Sequence, residues 1–257
     1  MYKLGLYLCC LWLLLPILLV ACGHAPETLP KATAALTGRV TFAGSTTVQP
    51  LADRIGQVFR AQHPGVELDI AAGGSLVGIQ AVHEGTVDIG MVSRALTPEE
   101  AEGIEQHLLA IDIIAVIVHP DNPVRGLTMA QLAAIYRGDV VNWSQVGGPD
   151  LPILVVVREQ ISGTRGAFDE LVLEKQSLTA PNQQVSIAAS EVVAIVAENA
   201  AAIGYVGFGH LEPTSRALAI DGVEPTEESA RDGSYPLFRP LLLLTGPLTQ
   251  PVARQYV

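Results

Sequence analysis

The chain has 257 residues, of which 49% are hydrophobic and 16% charged, and its formal net charge is −11 at pH 7. This composition excludes a collagen-like or largely disordered chain, and the length allows one large domain or two lobes with real cores. The acidic balance argues against a nucleic-acid partner, which would require a basic face. The three cysteines are Cys9, Cys10 and Cys22. The residues after Cys22 therefore hold neither a disulfide framework nor a cysteine metal site.

An apolar run over residues 4–21 follows Lys3. It could be a membrane-spanning helix of near-minimal length or the core of a signal peptide. The sequence Leu-Val-Ala-Cys at 19–22 resembles a bacterial lipobox and favours a lipoprotein signal peptide over a retained helix or a plain secretory signal. The resemblance predicts removal of residues 1–21, lipid modification of Cys22 and a flexible tether at 22–37.

After residue 37, apolar strands alternate with amphipathic helices, which predicts α/β architecture with mostly parallel sheets. Strands are predicted at 39–43, 66–70, 87–92, 111–118, 153–157, 203–206, 217–220 and 241–244. Helices are predicted from Pro50, over 76–82, from Thr97, from Thr128, from Ser162 and over 192–200. The Thr97 and Thr128 starts each place Glu or Gln three residues after a threonine, the spacing of a capping box.

Three turns of small residues each join a predicted strand to a predicted helix. They are Gly44-Ser45-Thr46-Thr47, Gly73-Gly74-Ser75 and Ser162-Gly163-Thr164. The unpaired N–H groups of a helix's first turn bind anions, hydroxyls add donors, and glycine allows close approach of the backbone. Each turn alone is better explained by ordinary helix capping. Three turns together favour an oxyanion site at the carboxyl ends of the strands.

Two charged residues extend this hypothesis. Arg158 directly follows an apolar strand, and a guanidinium there could bind two oxygens of a tetrahedral anion, or it could simply pair with Glu159. Asp88 lies among apolar residues, where a buried carboxylate needs a partner, as a structural ion pair or a cap would provide. An ionised carboxylate only accepts hydrogen bonds. At an anion site, Asp88 would therefore select a protonated oxyanion over one without a proton.

In this order, these residues resemble the periplasmic phosphate-binding protein of the bacterial phosphate ABC transporter, in its short lipoprotein form. The resemblance rests on the stretches 44–50, 73–75, 88–94, 142–143, 158–165 and 202–206. It implies a two-lobed type II periplasmic-binding-protein fold with the ligand in the interlobe cleft. Lobe I would comprise 38–117 and 206–257, and lobe II 118–205, with hinges near Val118 and Tyr205. Members usually continue through a C-terminal helix that would start where this chain ends, so lobe I is expected to be truncated.

The resemblance also implies a set of phosphate-binding residues. They are Ser45, Thr46, Thr47, Gly74, Ser75, Asp88, Arg158, Ser162, Gly163 and Thr164, with Ser93 and Arg94 as additional donors. The implied protein is a monomer without cofactor or metal. It is anchored by the Cys22 lipid to the cell membrane, facing the periplasm or the exterior, and it delivers inorganic phosphate to an ABC permease.

Other functions are weighed against this one. The same turns would serve a binder of molybdate, tungstate or sulfate, or a phosphate-sensing binder with a different partner. An enzyme is disfavoured because the six histidines are scattered and the sequence contains neither a GxSxG elbow nor a GxxxxGK loop.

Overall fold

The computed structural model describes residues 35–174 and 176–257, so the predicted signal peptide, Cys22 and nearly all of the tether lie outside the described residues. The strands are β1 (Thr37–Gly44), β2 (Gly65–Ala72), β3 (Ile89–Val92), β4 (Glu105–Val118), β5 (Gly126–Leu127), β6 (Leu154–Arg158), β7 (Gln183–Ser186), β8 (Ala202–Gly207), β9 (Arg216–Ala217), β10 (Ala219–Ile220) and β11 (Phe238–Thr245). The α-helices are α1 (Gln49–Gln62), α2 (Ser75–Glu84), α3 (Met129–Arg137), α4 (Gly163–Leu171), α5 (Ala189–Glu198) and α6 (Glu227–Arg231). The predicted α/β class is confirmed.

The main sheet has the strand order β2-β1-β3-β11-β4-β8-β6-β7. β1 pairs in parallel with β2 and β3, and β6 pairs in parallel with β7 and β8. β11 and β4 run antiparallel to their neighbours in the middle of the sheet. Because parallel neighbours end at the same edge, the turns that follow β1, β2 and β3 meet on one side of the sheet.

The long strand β4 joins two halves of the sheet. Its residues 105–113 pair with β11, and residues 114–118 pair with β8. We call residues 35–113 and 238–257 lobe I, and residues 114–237 lobe II. Each lobe has its own buried cores.

The core of lobe I lies on both faces of its sheet. Along β11, Leu241 and Leu243 pack with Phe42 and Tyr256 on one face, while Leu242 and Leu244 pack with residues of α2 on the other. Side chains of a strand alternate between faces, so a strand buried on both sides reads as the continuous apolar run 241–244.

The core of lobe II corrects the predicted lobe limits. The buried cluster around Trp143 includes Leu218, Tyr235 and Leu237, which the sequence-based division assigned to lobe I. The second crossing between lobes therefore lies at Leu237–Phe238 rather than near Tyr205. The first lies at residues 113–114 rather than at Val118, because Ile114 already pairs with β8.

The predicted helix starting at Thr97 is wrong, although its capping contacts form. The Thr97 N–H donates to Glu100 Oε2 (3.0 Å), and the Glu100 N–H donates to Thr97 Oγ1 (3.3 Å). Residues 98–103 nevertheless form turns only, and Gly103 ends them with a φ of +70°. β4 begins two residues later, so the chain passes from these turns directly into a strand. The capping box predicted at Thr128 does open α3.

Candidate functional site

Three serine hydroxyls meet where β1, β2 and β3 end. Ser45 follows β1, Ser75 begins α2 just beyond β2, and Ser93 follows β3; each is at most 2% exposed. Ser45 Oγ donates to Ser93 Oγ (2.9 Å), and the Ser93 N–H donates to Ser75 Oγ (3.1 Å). The parallel pairing of these strands thus produces one buried cluster of small polar groups in lobe I.

Gly74 allows lobe I to approach lobe II. Its φ is +92°, and a Cβ at this position would lie 2.8 Å from the carbonyl oxygen of Ile161. The backbone N–H of Leu76, two residues further on, donates a hydrogen bond to the same oxygen (3.1 Å). The amino end of α2, which carries unpaired N–H groups, therefore faces the turn of lobe II.

That turn of lobe II is the predicted Ser162-Gly163-Thr164. Ser162 is the N-cap of α4 and accepts a hydrogen bond from the Arg165 N–H (3.3 Å). A Cβ on Gly163 would overlap Ser75 Oγ and lie 2.6 Å from Ser93 Oγ. The turn therefore packs directly on the serine cluster of lobe I, and glycine is required there for the close approach.

Two threonine hydroxyls also meet between the lobes. Thr47 Oγ1 and Thr164 Oγ1 lie 3.2 Å apart, and both residues are buried. Thr46 is half-buried in the same turn as Ser45 and Thr47. All residues of the three predicted turns thus lie at, or next to, one contact between lobe I and lobe II.

Arg158 lies at the end of β6, as predicted, and is 1% exposed. Its Nε donates to the Ser186 carbonyl oxygen (3.2 Å) and its Nη2 to the Ile187 carbonyl oxygen (2.9 Å). Glu159 Oε1 lies 3.6 Å from Nη2. Burial lowers the pKa of the Arg158 guanidinium, and Glu159 opposes that shift. The Nε–Nη2 edge is therefore committed to backbone carbonyls of lobe II, which leaves Nη1 as the group for an anion.

Asp88 does not reach the serine cluster. Its Oδ2 accepts hydrogen bonds from the Thr41 N–H (3.0 Å) and Thr41 Oγ1 (2.9 Å), and its Oδ1 accepts one from the Gln250 N–H (3.3 Å). It precedes β3, whereas Ser93 follows β3 five residues later, about 16 Å along an extended chain. The predicted role of Asp88 at the anion is wrong: its carboxylate is a structural acceptor at the opposite edge of the sheet.

Arg94, the additional donor next to Ser93, is paired elsewhere. Its Nη1 and Nη2 donate to the two carboxylate oxygens of Glu100, both at 2.7 Å. This bidentate pair lowers the pKa of Glu100. Arg94 therefore borders the contact between the lobes without donating into the serine cluster.

The sequence reasoning missed Arg239 and Asp112. Arg239, 2% exposed, forms an ion pair with Asp112 (Nη2 to Oδ2, 2.9 Å) and donates to Thr164 Oγ1 (2.6 Å) and to the Ser93 carbonyl oxygen (3.2 Å). Burial lowers the pKa of Arg239, and Asp112 opposes that shift. A signal was present: an arginine at the start of the apolar run 238–244 cannot be buried without a partner.

The arrangement provides a set of donors for an oxyanion. Hydroxyls of Ser45, Ser75, Ser93, Thr47 and Thr164, two helix amino ends and buried guanidinium groups lie around one contact. Such groups bind tetrahedral anions by charge-assisted hydrogen bonds. Within residues 35–174 and 176–257, no group of three or more histidine, cysteine, aspartate or glutamate residues could hold a metal ion. None of the helices in that part of the chain has both the length and the apolar character needed to cross a membrane.

The fold and this interlobe site define a class of binding proteins. Residues 30–257 match the family model of the PBP superfamily domain. The curated phosphate-binding protein PstS of Bacillus subtilis strain 168 is 33% identical over 231 residues, which cover 85% of this chain and 75% of the relative. That of Pseudomonas aeruginosa strain PAO1 is 31% identical over 230 residues, covering 79% of this chain and 71% of the relative.

Solved structures agree with these relatives. A phosphate ABC transporter substrate-binding protein from Clostridium perfringens, solved with bound phosphate, superimposes with a TM-score of 0.82 at 37% identity, covering 85% of this chain and 91% of that one. A phosphate transport receptor from Vibrio cholerae gives 0.69 at 32% identity, covering 85% and 96%. The chain belongs to the PstS family of phosphate-binding proteins, as the sequence resemblance predicted. This is a family of substrate-binding proteins rather than of enzymes.

Proposed function

We propose that the protein captures inorganic phosphate between its two lobes and delivers it to an ABC permease for import. The observation that carries this proposal is the meeting of Ser45, Ser75 and Ser93 of lobe I with Gly163 and Thr164 of lobe II. Hydroxyls that now bond to one another can rotate to donate to an anion oxygen. Entry of the anion requires the two turns to separate, a hinge movement of one lobe against the other.

The two places where the chain crosses between the lobes would act as the hinges. Residues 113–114 and 237–238 are the two places where the chain passes from one lobe to the other. Movement there would open the contact between Thr47 and Thr164 without disturbing the core of either lobe. Residues 35–113 and 238–257 would then move as one body and 114–237 as the other.

A second candidate is a binding protein for another tetrahedral oxyanion, such as sulfate or molybdate. The position of Asp88 favours it, because the carboxylate that was expected to select a protonated anion is bonded to Thr41 and Gln250 instead. Hydroxyl and N–H donors bind any tetrahedral oxyanion. Family membership favours phosphate.

Calorimetric titration of the full chain in detergent with phosphate, sulfate and molybdate tests both candidates. Phosphate is expected to bind more tightly than the other two. Tighter binding of sulfate or molybdate would establish the second candidate. Absence of binding to all three would contradict an oxyanion role. Delivery is tested by phosphate uptake into cells that lack their own phosphate-binding protein and express this chain.

We further propose that the mature protein is a monomer anchored to the outer face of the cell membrane by a lipid on Cys22. The support is the sequence Leu-Val-Ala-Cys directly after an apolar run. Two or more acyl chains would give stable anchoring, whereas one gives only a marginal hold. Mass spectrometry of the amino-terminal peptide should find acylated Cys22, and Cys22→Ser should release the protein. Cys10→Ser is the matched control and should leave the anchor in place.

A further inference from the structure

We propose that Arg239 is an anion-binding residue of the interlobe site, held in position by Asp112. The proposal rests on the oxyanion function inferred above and adds a cation that the sequence motifs do not reveal. It is carried by the contacts of the Arg239 guanidinium, which touches both lobes and is fixed from behind by one carboxylate.

Asp112 fixes the guanidinium from the side that faces away from the threonines. Asp112 Oδ2 accepts hydrogen bonds from Arg239 Nε (3.1 Å) and Nη2 (2.9 Å), and Oδ1 accepts one from the Phe208 N–H (3.1 Å). Asp112 lies in β4 just before the crossing at residues 113–114, and Arg239 lies in β11 just after the crossing at residues 237–238. The ion pair therefore lies where the lobes join, and its carboxylate is held by a third element.

The opposite edge of the guanidinium faces the two threonine hydroxyls. Nη1 lies 2.6 Å from Thr164 Oγ1, Nη2 lies 3.5 Å from Thr47 Oγ1, and the two hydroxyl oxygens are 3.2 Å apart. An anion oxygen that replaced the direct contact between these hydroxyls, one from each lobe, would be within reach of both Nη groups. Such bidentate contact is the geometry by which arginine recognises oxyanions.

Arg158 differs from Arg239 in the lobes that its guanidinium contacts. Its Nε and Nη2 donate to the carbonyl oxygens of Ser186 and Ile187, both in lobe II. It belongs to a single lobe, whereas Arg239 contacts Thr47 and Ser93 of lobe I as well as Thr164 of lobe II. Arg239 is therefore the arginine that can contact a bound anion and both closed lobes at the same time.

Calorimetric titration of full-chain variants with inorganic phosphate tests the proposal. Arg239→Gln should weaken phosphate binding about 10- to 100-fold, which is about 1.4–2.8 kcal/mol, because it removes a charge-assisted hydrogen bond. Arg239→Lys keeps the charge but loses the bidentate guanidinium edge, so its phosphate affinity should lie between those of wild type and Arg239→Gln. The matched control is Arg254→Gln, which removes a surface arginine paired with Glu105 (3.0 Å) and should bind within threefold of wild type.

A second variant distinguishes a loss of binding from a loss of folding. Arg239→Gln leaves the partly buried Asp112 carboxylate without its counter-ion, and such a loss can destabilise a protein. The double variant Asp112→Asn/Arg239→Gln leaves no unpaired charge and should show the same loss of affinity. A folded single or double variant that binds phosphate within threefold of wild type would overturn the proposal.

A direct observation separates binding from structural support. In protein with ¹⁵N-labelled arginine, the guanidinium signal that Arg239→Lys removes should shift as phosphate is added. An unshifted signal at saturating phosphate would contradict contact with the anion. If the wild-type chain binds sulfate or molybdate and not phosphate, the proposed function fails, and the same titrations with that anion still decide the role of Arg239.

Discussion

The two ends of strand β3 carry buried polar residues with opposite uses. At the amino end, Asp88 is 5% exposed and accepts hydrogen bonds from Thr41 and Gln250, which belong to the same lobe. At the carboxyl end, Ser93 is fully buried and bonded to Ser45, Ser75 and, through its carbonyl group, Arg239. The partners of Asp88 are fixed, whereas hydroxyls at the other end can exchange their partners for an anion.

The difference teaches that burial and polarity alone do not mark a binding residue. A buried carboxylate that accepts hydrogen bonds from three donors is a structural group, because its removal would leave those donors without a partner. A cluster of hydroxyls that bond to one another and to neighbouring N–H groups is adaptable, since each hydroxyl both donates and accepts. Changes at the carboxyl end should therefore affect anion affinity, and changes at the amino end should affect stability.

The largest effect is expected from Gly163→Ala at the carboxyl end. The added Cβ would overlap Ser75 Oγ and lie 2.6 Å from Ser93 Oγ, so the lobe II turn could no longer close on the serine cluster. Such overpacking costs about 1–3 kcal/mol, and we expect phosphate affinity to fall up to about 100-fold in a calorimetric titration.

Gly209→Ala is the matched control for this change. A Cβ on Gly209 meets no atom within 4 Å, so phosphate affinity should stay within threefold of wild type. If Gly163→Ala bound phosphate as tightly as this control, close contact between the two turns would not be needed for binding.

The next effect is expected at the amino end. Asp88→Asn replaces one acceptor oxygen by a donor and confronts the Thr41 or Gln250 N–H with it, so the free energy of unfolding should fall by about 1–3 kcal/mol. Phosphate affinity and the ratio of phosphate to sulfate affinity should not change. Denaturant unfolding and calorimetry measure the two quantities on the same samples.

Asp69→Asn serves as the control, because Asp69 pairs with Arg39 on the surface. It should alter neither quantity measurably, as exposed ion pairs contribute little. A gain of sulfate binding in Asp88→Asn would show instead that this carboxylate faces the anion.

The local sequence predicted the turns of the site but not the contribution of Arg239. Gly74, Ser75, Ser162 and Gly163 stand at strand-to-helix junctions, where turn chemistry depends on neighbours in the chain. Parallel pairing, which the alternation of strands and helices already predicts, brings the lobe I turns together. The approach of the lobe II turn depends instead on how the two lobes pack against each other.

Arg239 could not be placed in the same way. Its partners Asp112 and Thr164 are 127 and 75 residues away, so no local pattern joins them. Asp88 was misassigned for a different reason. It stands at the amino end of the predicted strand, and the rule that ligands gather at carboxyl ends already argued against it.

The smallest effect concerns His210, which lies beside the interlobe site rather than at the amino end of β3. Burial lowers the pKa of His210, and among the charged groups around it Asp112 and Glu212 raise this pKa while Arg239 and Arg158 lower it. The unfolded chain therefore takes up a proton near pH 6.5 that the folded chain resists. Stability from this residue is complete above pH 6.5 and is lost as pH falls through the lower folded pKa. The melting temperature of wild type should therefore drop more between pH 7.5 and 5 than that of His210→Gln, and parallel curves would show that acid sensitivity arises elsewhere.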